Sequence, residues 1–432
     1  MKKIMTQQEL VRKLPKGEFA CIKNPEGVFP EYEYIPMGVK QATLKDIRTI
    51  VCDMDGTTTS TENLCIHSLE FMVRKISGKM TTKEWAGLDK VKDYPHIIGN
   101  STTRHIEYLI DTYRFNISDK HLQEAFLEGA IWFLRYGKDP QRINEVKNSC
   151  KNMGCGALIN DVQLSDKSLL EKYLTVCQID NKSKIVKAAI DIYYKRYHEI
   201  LMAVDRGEKI PMIESIGDIN PNALIEPMPG VAIFISMVLG LLNAENAVSL
   251  NPILEQAYAQ KCGKNIESDA GSFAILAERF RKSPVKLALV TSSIYYEANI
   301  VIKQVFQAII DEITHWPIDE ESRNIIADHF RDYHHIYDAF ITANDSHEIR
   351  LKPHRDLYSI ALNTMNINSE DFDTIMGFED SESGTIAIRA AGIPCAIALP
   401  FAETSGHDLS AASHIVEGGL PEVIIKHKCF IK

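Results

Sequence analysis

The sequence predicts an α/β fold in which a parallel, Rossmann-like sheet carries a large helical module inserted directly after its first strand. Short apolar runs alternate with helical segments over residues 285–399, a pattern typical of a parallel sheet with both faces covered. A similar run stands far upstream, at residues 47–52. Between the two regions, residues 62–226 have the three- and four-residue apolar spacing of helices. The helical module therefore interrupts the sheet after its first strand.

These patterns divide the chain into three parts. Residues 1–45 are predicted to be an irregular N-terminal extension, because Pro15, Pro25, Pro30 and Pro36 interrupt any long element. Residues 46–57 and 227–432 form the α/β core, and residues 58–226 form the helical module. The predicted strands of the core cover residues 47–52, 285–290, 339–342, 374–378 and 394–399.

Charge and cysteine usage exclude several classes of function. The chain of 432 residues carries 48 Lys and Arg against 58 Asp and Glu, and an acidic chain without a basic stripe does not favour nucleic-acid binding. The longest apolar run, residues 231–242, is too short to cross a bilayer. The nine scattered cysteines are typical of free thiols in a reducing compartment, and the N-terminus lacks the apolar run of a secretory signal. We expect a cytoplasmic protein that binds neither nucleic acid nor membrane; the sequence indicates no oligomeric state.

Polar residues cluster where the predicted strands end. In open parallel sheets ligands bind beyond the carboxyl ends of the strands. One such residue alone is more often part of a capped turn or a solvated loop, but several of them in order indicate chemistry. A lysine, Lys352, lies on the loop before the helix that precedes the fourth strand. The other residues are Asp53, Asp55, Thr291, Ser292, Ser293, Glu379 and Asp380.

These residue types suit phosphoryl transfer through an aspartyl-phosphate. A carboxylate is a weak nucleophile toward an anionic phosphate, so cations must neutralise the phosphate charge. Mg²⁺ prefers carboxylate and other oxygen ligands. A second acid must protonate the leaving oxygen and later activate water, while hydroxyl groups and a lysine hold the phosphate oxygens. The pattern therefore predicts a magnesium-dependent phosphoryl-transfer enzyme.

The same motifs resemble those of the haloacid dehalogenase superfamily, in the branch similar to β-phosphoglucomutase and phosphoglycolate phosphatase. The resemblance covers roughly residues 47–115 and 225–420. Ser60 stands where the branch usually has an acidic residue, the cap is about twice the usual size, and residues 316–332 look like an insert. The four motifs are Asp53-Met54-Asp55-Gly56-Thr57, Thr291, Lys352-Pro353 and Glu379-Asp380-Ser381-Glu382-Ser383-Gly384.

The resemblance implies a role for each position. Asp53 would be the nucleophile and a magnesium ligand. Asp55 would be the general acid and base, with its backbone carbonyl on the metal. The remaining roles are phosphate binding by Thr291, Ser292 and Lys352, magnesium binding by Asp380 with Glu379 beside it, and substrate recognition in the cap domain, residues 58–226, by Arg104 and Asn100.

Three functions are compatible with this pattern. The first is a phosphatase of a small phosphorylated metabolite, such as a sugar phosphate, with Mg²⁺ as cofactor. The second is a sugar phosphomutase of the β-phosphoglucomutase type, which would use the same two aspartates and return the phosphoryl group to the sugar. The third is a non-catalytic binding protein on the same fold, since fold does not fix function. Free phosphate or an isomer as the product from a sugar 1-phosphate separates the first two.

Overall fold

The computed structural model of the protein describes residues 4–14, 16–24, 28–97, 102–208, 224–347, 350–401, 404, 406–426 and 430. The chain forms two compact units. The core unit comprises Met1–Thr59, Pro227–Ala298 and Val305–Lys432, and the helical unit comprises Ser60–Glu226 and Asn299–Gln304. The sequence-based prediction places the boundaries between residues 57 and 58 and between residues 226 and 227.

Strands are short throughout the described residues. A six-stranded sheet forms the centre of the core unit, and two further pairs of strands stand apart from it. In chain order the strands are Phe19–Lys23 (β1), Tyr32–Pro36 (β2), Thr49–Asp53 (β3), Thr59–Ser60 (β4), Glu226–Pro227 (β5), Lys286–Val290 (β6), Ala339–Ile341 (β7), Ile375–Glu379 (β8), Cys395–Ala398 (β9) and His414–Ile415 (β10).

The order of strands in the central sheet is β10-β9-β8-β3-β6-β7, and every neighbouring pair is parallel. From β3 the chain builds outward through β6 and β7 on one side, and then returns to β8 and continues outward on the other. This is the strand order of the Rossmann fold. The structure thus confirms the predicted α/β class with a parallel, Rossmann-like sheet.

Helices cover both faces of this sheet. Ile388 lies against Gly377 of β8, where an added Cβ would come within 2.8 Å of its side chain. The next residue, Phe378, points to the opposite face, and its ring meets that of Phe234 with 5.1 Å between the centroids. The helices that contain core-unit residues are Gln7–Lys13 (α1), Val231–Val238 (α10), Ala244–Cys262 (α11), Ala270–Lys282 (α12), Tyr295–Ile313 (α13), Glu320–His329 (α14), Asp356–Thr364 (α15), Glu382–Ala390 (α16) and Gly419–Lys426 (α17).

The N-terminal segment is not irregular, contrary to the prediction. After α1, strands β1 and β2 pair in an antiparallel hairpin whose register aligns Cys21 with Tyr34. Alternate residues of β1, Ala20 and Ile22, are buried, so one face of the hairpin packs against the core unit. Pro36 does not prevent this pairing, because it belongs to β2, which is an edge strand of a two-stranded sheet, where proline is tolerated.

The helical unit is built around its longest helix, Lys182–Asp205 (α9), which packs against four other helices of the unit. Arg196 of this helix is buried and donates hydrogen bonds to His67 Nε2 at 3.0 and 3.2 Å and to Glu199 Oε2 at 3.0 Å. Burial and the Arg196 charge lower the pKa of His67 to about 4, which keeps it neutral as an acceptor. The helices are Glu62–Ser77 (α2), Tyr94–Ile97 (α3), Thr102–Thr112 (α4), Asp119–Tyr136 (α5), Pro140–Asn152 (α6), Leu158–Asp161 (α7), Asp166–Tyr173 (α8) and Lys182–Asp205 (α9).

Within the described part of the chain, none of these helices combines the length and the apolar character that crossing a membrane would require.

Candidate active site

The candidate site lies at the carboxyl edge of the sheet, at the point where the strand order reverses. Strands β3 and β8 are neighbours, but the connections that follow them run to opposite sides of the sheet. Such a switch point opens a crevice, and open α/β sheets bind their ligands there. Asp53 is the last residue of β3 and Glu379 the last of β8. Both carboxylates therefore stand at the switch point.

Asp53 forms a buried ion pair with Lys352. The Lys352 ammonium contacts Asp53 Oδ1 and donates to Glu379 Oε1 at 2.8 Å and to the Val290 carbonyl at 3.4 Å. The side chains of Lys352 and Asp53 are 7% and 6% exposed. Because so little water screens these charges, their attraction is stronger than that of a surface pair. Lys352 thus links the ends of three neighbouring strands.

The charges in this crevice do not balance. The Lys352 ammonium contacts the carboxylates of Asp53 and Glu379, and a third carboxylate, that of Asp380, lies within 4.8 Å of those two. Burial and the Glu379 carboxylate raise the pKa of Asp53 well above its usual value, against the opposing effect of Lys352. Burial alone would lower the pKa of Lys352, but the two neighbouring carboxylates hold it well above its usual value. A further positive charge in the crevice would therefore be stabilised.

The donor set fits a divalent cation. Oxygen atoms of Asp53, Glu379 and Asp380 all lie within 4.8 Å of one another. Asp53 Oδ2 is buried and accepts no hydrogen bond from the described residues, and an oxygen in that position is costly without a partner. Hard cations such as Mg²⁺ bind carboxylate oxygens. These residues could therefore hold such an ion, and it would supply the partner that Asp53 Oδ2 lacks.

Gly56 allows the loop after Asp53 to approach Asp380 closely. Its φ of +86° lies in the left-handed region, which costs glycine little. A Cβ at this position would stand 2.8 Å from Asp380 Cγ and 2.9 Å from Phe401 Cε1. A larger residue here would push the two acidic loops apart.

Glu379 uses both carboxylate oxygens in hydrogen bonds. Oε2 accepts from the backbone N–H groups of Asp380 and Ser381 at 2.9 and 3.0 Å and from the Ser381 hydroxyl at 2.9 Å. Oε1 accepts from Lys352 and, at 3.3 Å, from the Tyr358 hydroxyl. Burial would raise the pKa of Glu379, but Lys352 and the two hydrogen bonds from Ser381 lower it. Glu379 is one of the three carboxylates that could hold a cation, and its hydrogen bonds also make it the anchor for Lys352.

Two residues to which the sequence assigned no role in the site support Glu379. Tyr358, on α15, is fully buried and lies under the Lys352 ammonium, with 5.2 Å between the nitrogen and the ring centroid. Gly384, in the first turn of α16, leaves the space that the carboxylate fills, because a Cβ there would lie 1.6 Å from Glu379 Oε1. Gly384 belongs to the fourth motif, so the sequence could have identified it. No local sequence pattern identifies Tyr358.

Asp55 is held by hydroxyl groups from the end of β6. Thr291 Oγ1 donates to Asp55 Oδ2 at 3.0 Å and Ser293 Oγ donates to the same oxygen at 3.2 Å. The Ser293 N–H in turn donates to Thr291 Oγ1 at 2.9 Å. Ser292, which the sequence predicts to bind phosphate, is exposed between them. The structure thus brings Ser293 rather than Ser292 onto Asp55, and Asp55 itself is half-buried.

The two predicted substrate-binding residues, Arg104 and Asn100, are not tested by the structure. Arg104 is exposed in the first turn of α4. Asn100 lies outside the described residues. Neither assignment is tested by the geometry of the helical unit, and both stay predictions.

No family model and no curated protein sequence matches the chain. Solved structures do. One is CbbY from Rhodobacter sphaeroides in complex with phosphate, with 15% identity, a TM-score of 0.36, and coverage of 88% of this chain and 99% of that one. Another is β-phosphoglucomutase from Clostridium difficile, with 13% identity, a TM-score of 0.33, and coverage of 88% and 96%.

A third similar structure is a HAD hydrolase of family IA, variant 3, from Entamoeba histolytica, with 11% identity, a TM-score of 0.34, and coverage of 86% of this chain and 93% of that one. These names fall in the superfamily and branch that the sequence motifs resemble. At such identities and TM-scores the likeness does not by itself assign a function to this chain.

Proposed function

We propose that this chain is a magnesium-dependent phosphohydrolase in which Asp53 attacks the phosphorus of a small phosphomonoester. One observation supports the proposal most: Asp53 Oδ2 is buried without a hydrogen-bond partner among the described residues, while Oδ1 is paired with Lys352. Most buried carboxylate oxygens have a hydrogen-bond partner. An oxygen left open beside Asp380 and a lysine suits a group that binds a metal ion and an incoming phosphate.

In this proposal Asp53 forms a new oxygen–phosphorus bond while the bond from phosphorus to the leaving oxygen breaks. Lys352, held by Glu379, neutralises the phosphate oxygens as they approach the Asp53 carboxylate. A magnesium ion on Asp53 and Asp380 would act as a Lewis acid that offsets the same negative charge. The product of the first step is an aspartyl-phosphate on Asp53 and a free alcohol.

Asp55 supplies the proton for that alcohol. Two hydroxyl groups donate to its Oδ2, from Thr291 and Ser293, and they fix the direction in which the carboxyl group faces. Asp55 is half-buried, so it can exchange protons with a substrate and with water. In the second step Asp55 takes a proton from the water that attacks the aspartyl-phosphate, which releases inorganic phosphate and restores Asp53.

The direct test is a panel of small phosphomonoesters assayed for phosphate release, with Mg²⁺ and with excess EDTA. We expect turnover that requires Mg²⁺ and that Asp53→Asn abolishes. Asp311→Asn is the matched control, because Asp311 is exposed on α13, and it should keep the wild-type rate. Zn²⁺ should support little turnover, since no histidine or cysteine belongs to the described cluster.

Three outcomes would contradict the proposal: full turnover in EDTA, an active Asp53→Asn variant, or no turnover of any phosphomonoester in the panel. Conversion of a sugar 1-phosphate into its isomer without free phosphate would instead identify a phosphomutase that uses the same two aspartates.

A further inference from the structure

The N-terminal hairpin of β1 and β2 contacts the loop that carries Lys352. Glu33 of β2 accepts a hydrogen bond on Oε2 from Arg350 Nη1 at 2.7 Å. Arg350 stands two residues before Lys352 in the chain. The hairpin is therefore joined by an ion pair to the loop from which the lysine reaches the crevice.

Arg350 also closes that loop at its base. Its Nε and Nη2 donate in a fork to the two carboxylate oxygens of Asp356, both at 3.0 Å. Asp356 is the first residue of α15, so Arg350 and Asp356 bracket Lys352. A bidentate arginine–carboxylate pair restricts geometry more than a single contact does. Glu33 occupies the remaining side of the same guanidinium.

Glu33 reaches the other flank of Lys352 as well. Its Oε1 lies 3.9 Å from Nε2 of His354, a residue that is 3% exposed. Asn24, 5% exposed, holds Glu33 in place by donating to Oε1 at 3.1 Å and to the Pro30 carbonyl at 2.8 Å. Hydrogen bonds from Arg350 and Asn24 lower the pKa of Glu33. Glu33 thus pairs with the loop on one side of the lysine, through Arg350, and lies near it on the other side, at His354.

The position of this loop matters because Lys352 has two carboxylates to reach at once, those of Asp53 and Glu379. A lysine side chain is flexible, so the loop backbone decides where its ammonium group lies. We propose that Glu33 is a positioning residue, which acts through Arg350 to hold the Lys352 loop against the crevice. The N-terminal hairpin would then belong to the phosphate-binding apparatus, and this inference rests on the proposed function.

A second ion pair of the N-terminal segment provides a matched control. Glu18, immediately before β1, pairs with Arg389 at 2.7 Å, and Arg389 also donates to the Gly38 carbonyl. Arg389 lies near the end of α16, which is the end away from Glu379. Glu18→Ala therefore removes a comparable attachment of the same segment without touching the Lys352 loop.

The experiment compares Glu33→Ala with Glu18→Ala in the full chain, each alone and combined with Lys352→Met. With p-nitrophenyl phosphate and Mg²⁺, Glu33→Ala should lower kcat about ten-fold, less than the roughly 100-fold that a full 1 Å misplacement can cost. Glu18→Ala should stay within about two-fold of wild type, as surface changes usually do. In the Lys352→Met background Glu33→Ala should have no further effect, because the residue through which it acts is gone.

Hydrogen exchange of residues 350–356, followed by mass spectrometry, measures the same contact without any catalytic readout. Glu33→Ala should speed exchange in this segment and Glu18→Ala should leave it unchanged. Equal exchange in the two variants would overturn the inference, and so would a loss of activity from Glu33→Ala that is undiminished in the Lys352→Met background. A wild-type chain without phosphatase activity would refute the proposed function instead, and the exchange data would still decide whether Glu33 braces the loop.

Discussion

Replacing Lys352 by methionine should destabilise the core unit strongly, because it removes the positive charge from a group of buried carboxylates. Methionine keeps the length and the apolar stem of the side chain. Asp53 and Glu379, with side chains 6% and 1% exposed, would lose the ammonium group that both contact. Removing one partner of a buried ion pair typically costs about 3–5 kcal/mol. We therefore expect the free energy of unfolding in EDTA to fall by about that amount.

Magnesium should restore part of this loss without restoring activity. Without the lysine the three carboxylates carry one more uncompensated negative charge, so a divalent cation should bind more tightly. A ligand at 100 times its dissociation constant stabilises the folded state by about 2.7 kcal/mol. Added Mg²⁺ should consequently stabilise Lys352→Met more than it stabilises the wild type, while phosphatase activity stays low because the phosphate oxygens still lack Lys352.

Urea denaturation with EDTA and with Mg²⁺ measures both effects, and Lys286→Met is the control. Lys286 is an exposed lysine of β6 at the opposite end of the strand, where it donates to the Met365 carbonyl at 2.7 Å. The Lys286→Met variant should lose little stability, and Mg²⁺ should stabilise it no more than it stabilises the wild type. If Lys352→Met were as stable as wild type in EDTA, or responded to Mg²⁺ no more than the control, the description of this crevice as a charge-imbalanced cation site would be wrong.

Three further predictions concern single residues. Asp55→Asn should lower kcat about 10²–10⁴-fold more for sugar phosphates than for p-nitrophenyl phosphate, whose leaving group needs little protonation; equal losses on both substrates would refute its role as the acid. Gly384→Ala should displace the Glu379 carboxylate and cost about 1–3 kcal/mol in urea denaturation, while Gly406→Ala, which has open space around the added methyl group, should cost little. Burial raises the pKa of Asp191 to about 7, so the contribution of this residue to stability should fall by at most about 4 kcal/mol as pH rises from about 4 to 7. Denaturation of the wild type and of Asp191→Asn across that range tests this: the difference between their free energies of unfolding should shift in favour of Asp191→Asn as pH rises.

The sequence was sufficient to predict which strand ends meet. A parallel sheet brings the carboxyl ends of its strands to one edge, so Asp53, Thr291 and Glu379 could be expected together without knowledge of the strand order. The apolar runs that identify these strands are buried on both faces in the structure. That the carboxyl ends of parallel strands meet at one edge depends only on strand direction. It therefore holds even for strands as short as these.

Details within each turn were less predictable. Thr291, Ser292 and Ser293 present three adjacent hydroxyl groups, and only the turn after β6 decides that Thr291 and Ser293 reach Asp55 while Ser292 faces outward. Local sequence contains little information about such backbone directions. The motif alone therefore selects the correct loop but does not indicate which of its hydroxyl groups contact Asp55, and phosphate binding by Ser292 stays a prediction.

Long-range partners were not predictable at all. Glu33 meets Arg350 across 317 positions of the chain, and neither residue belongs to a motif. The alternating burial of Ala20 and Ile22 in β1 is not visible in the sequence, because Cys21 between them is also apolar, and the nearby prolines suggested irregular structure. Contacts of this kind arise from tertiary packing, which a single sequence does not encode locally.

The measurement that tests the central claim most directly is the search for a phosphorylated Asp53. The chain would be mixed with Mg²⁺ and a phosphomonoester that it hydrolyses, and the reaction would be quenched in acid. Borohydride would then reduce an aspartyl-phosphate to homoserine, and peptide mapping by mass spectrometry would locate the modified residue. We predict that the modification occurs at position 53, in the tryptic peptide of residues 49–74, and that it is absent from Asp53→Asn. Modification of another residue, or phosphate release at the wild-type rate by Asp53→Asn, would contradict the assignment of Asp53 as the nucleophile.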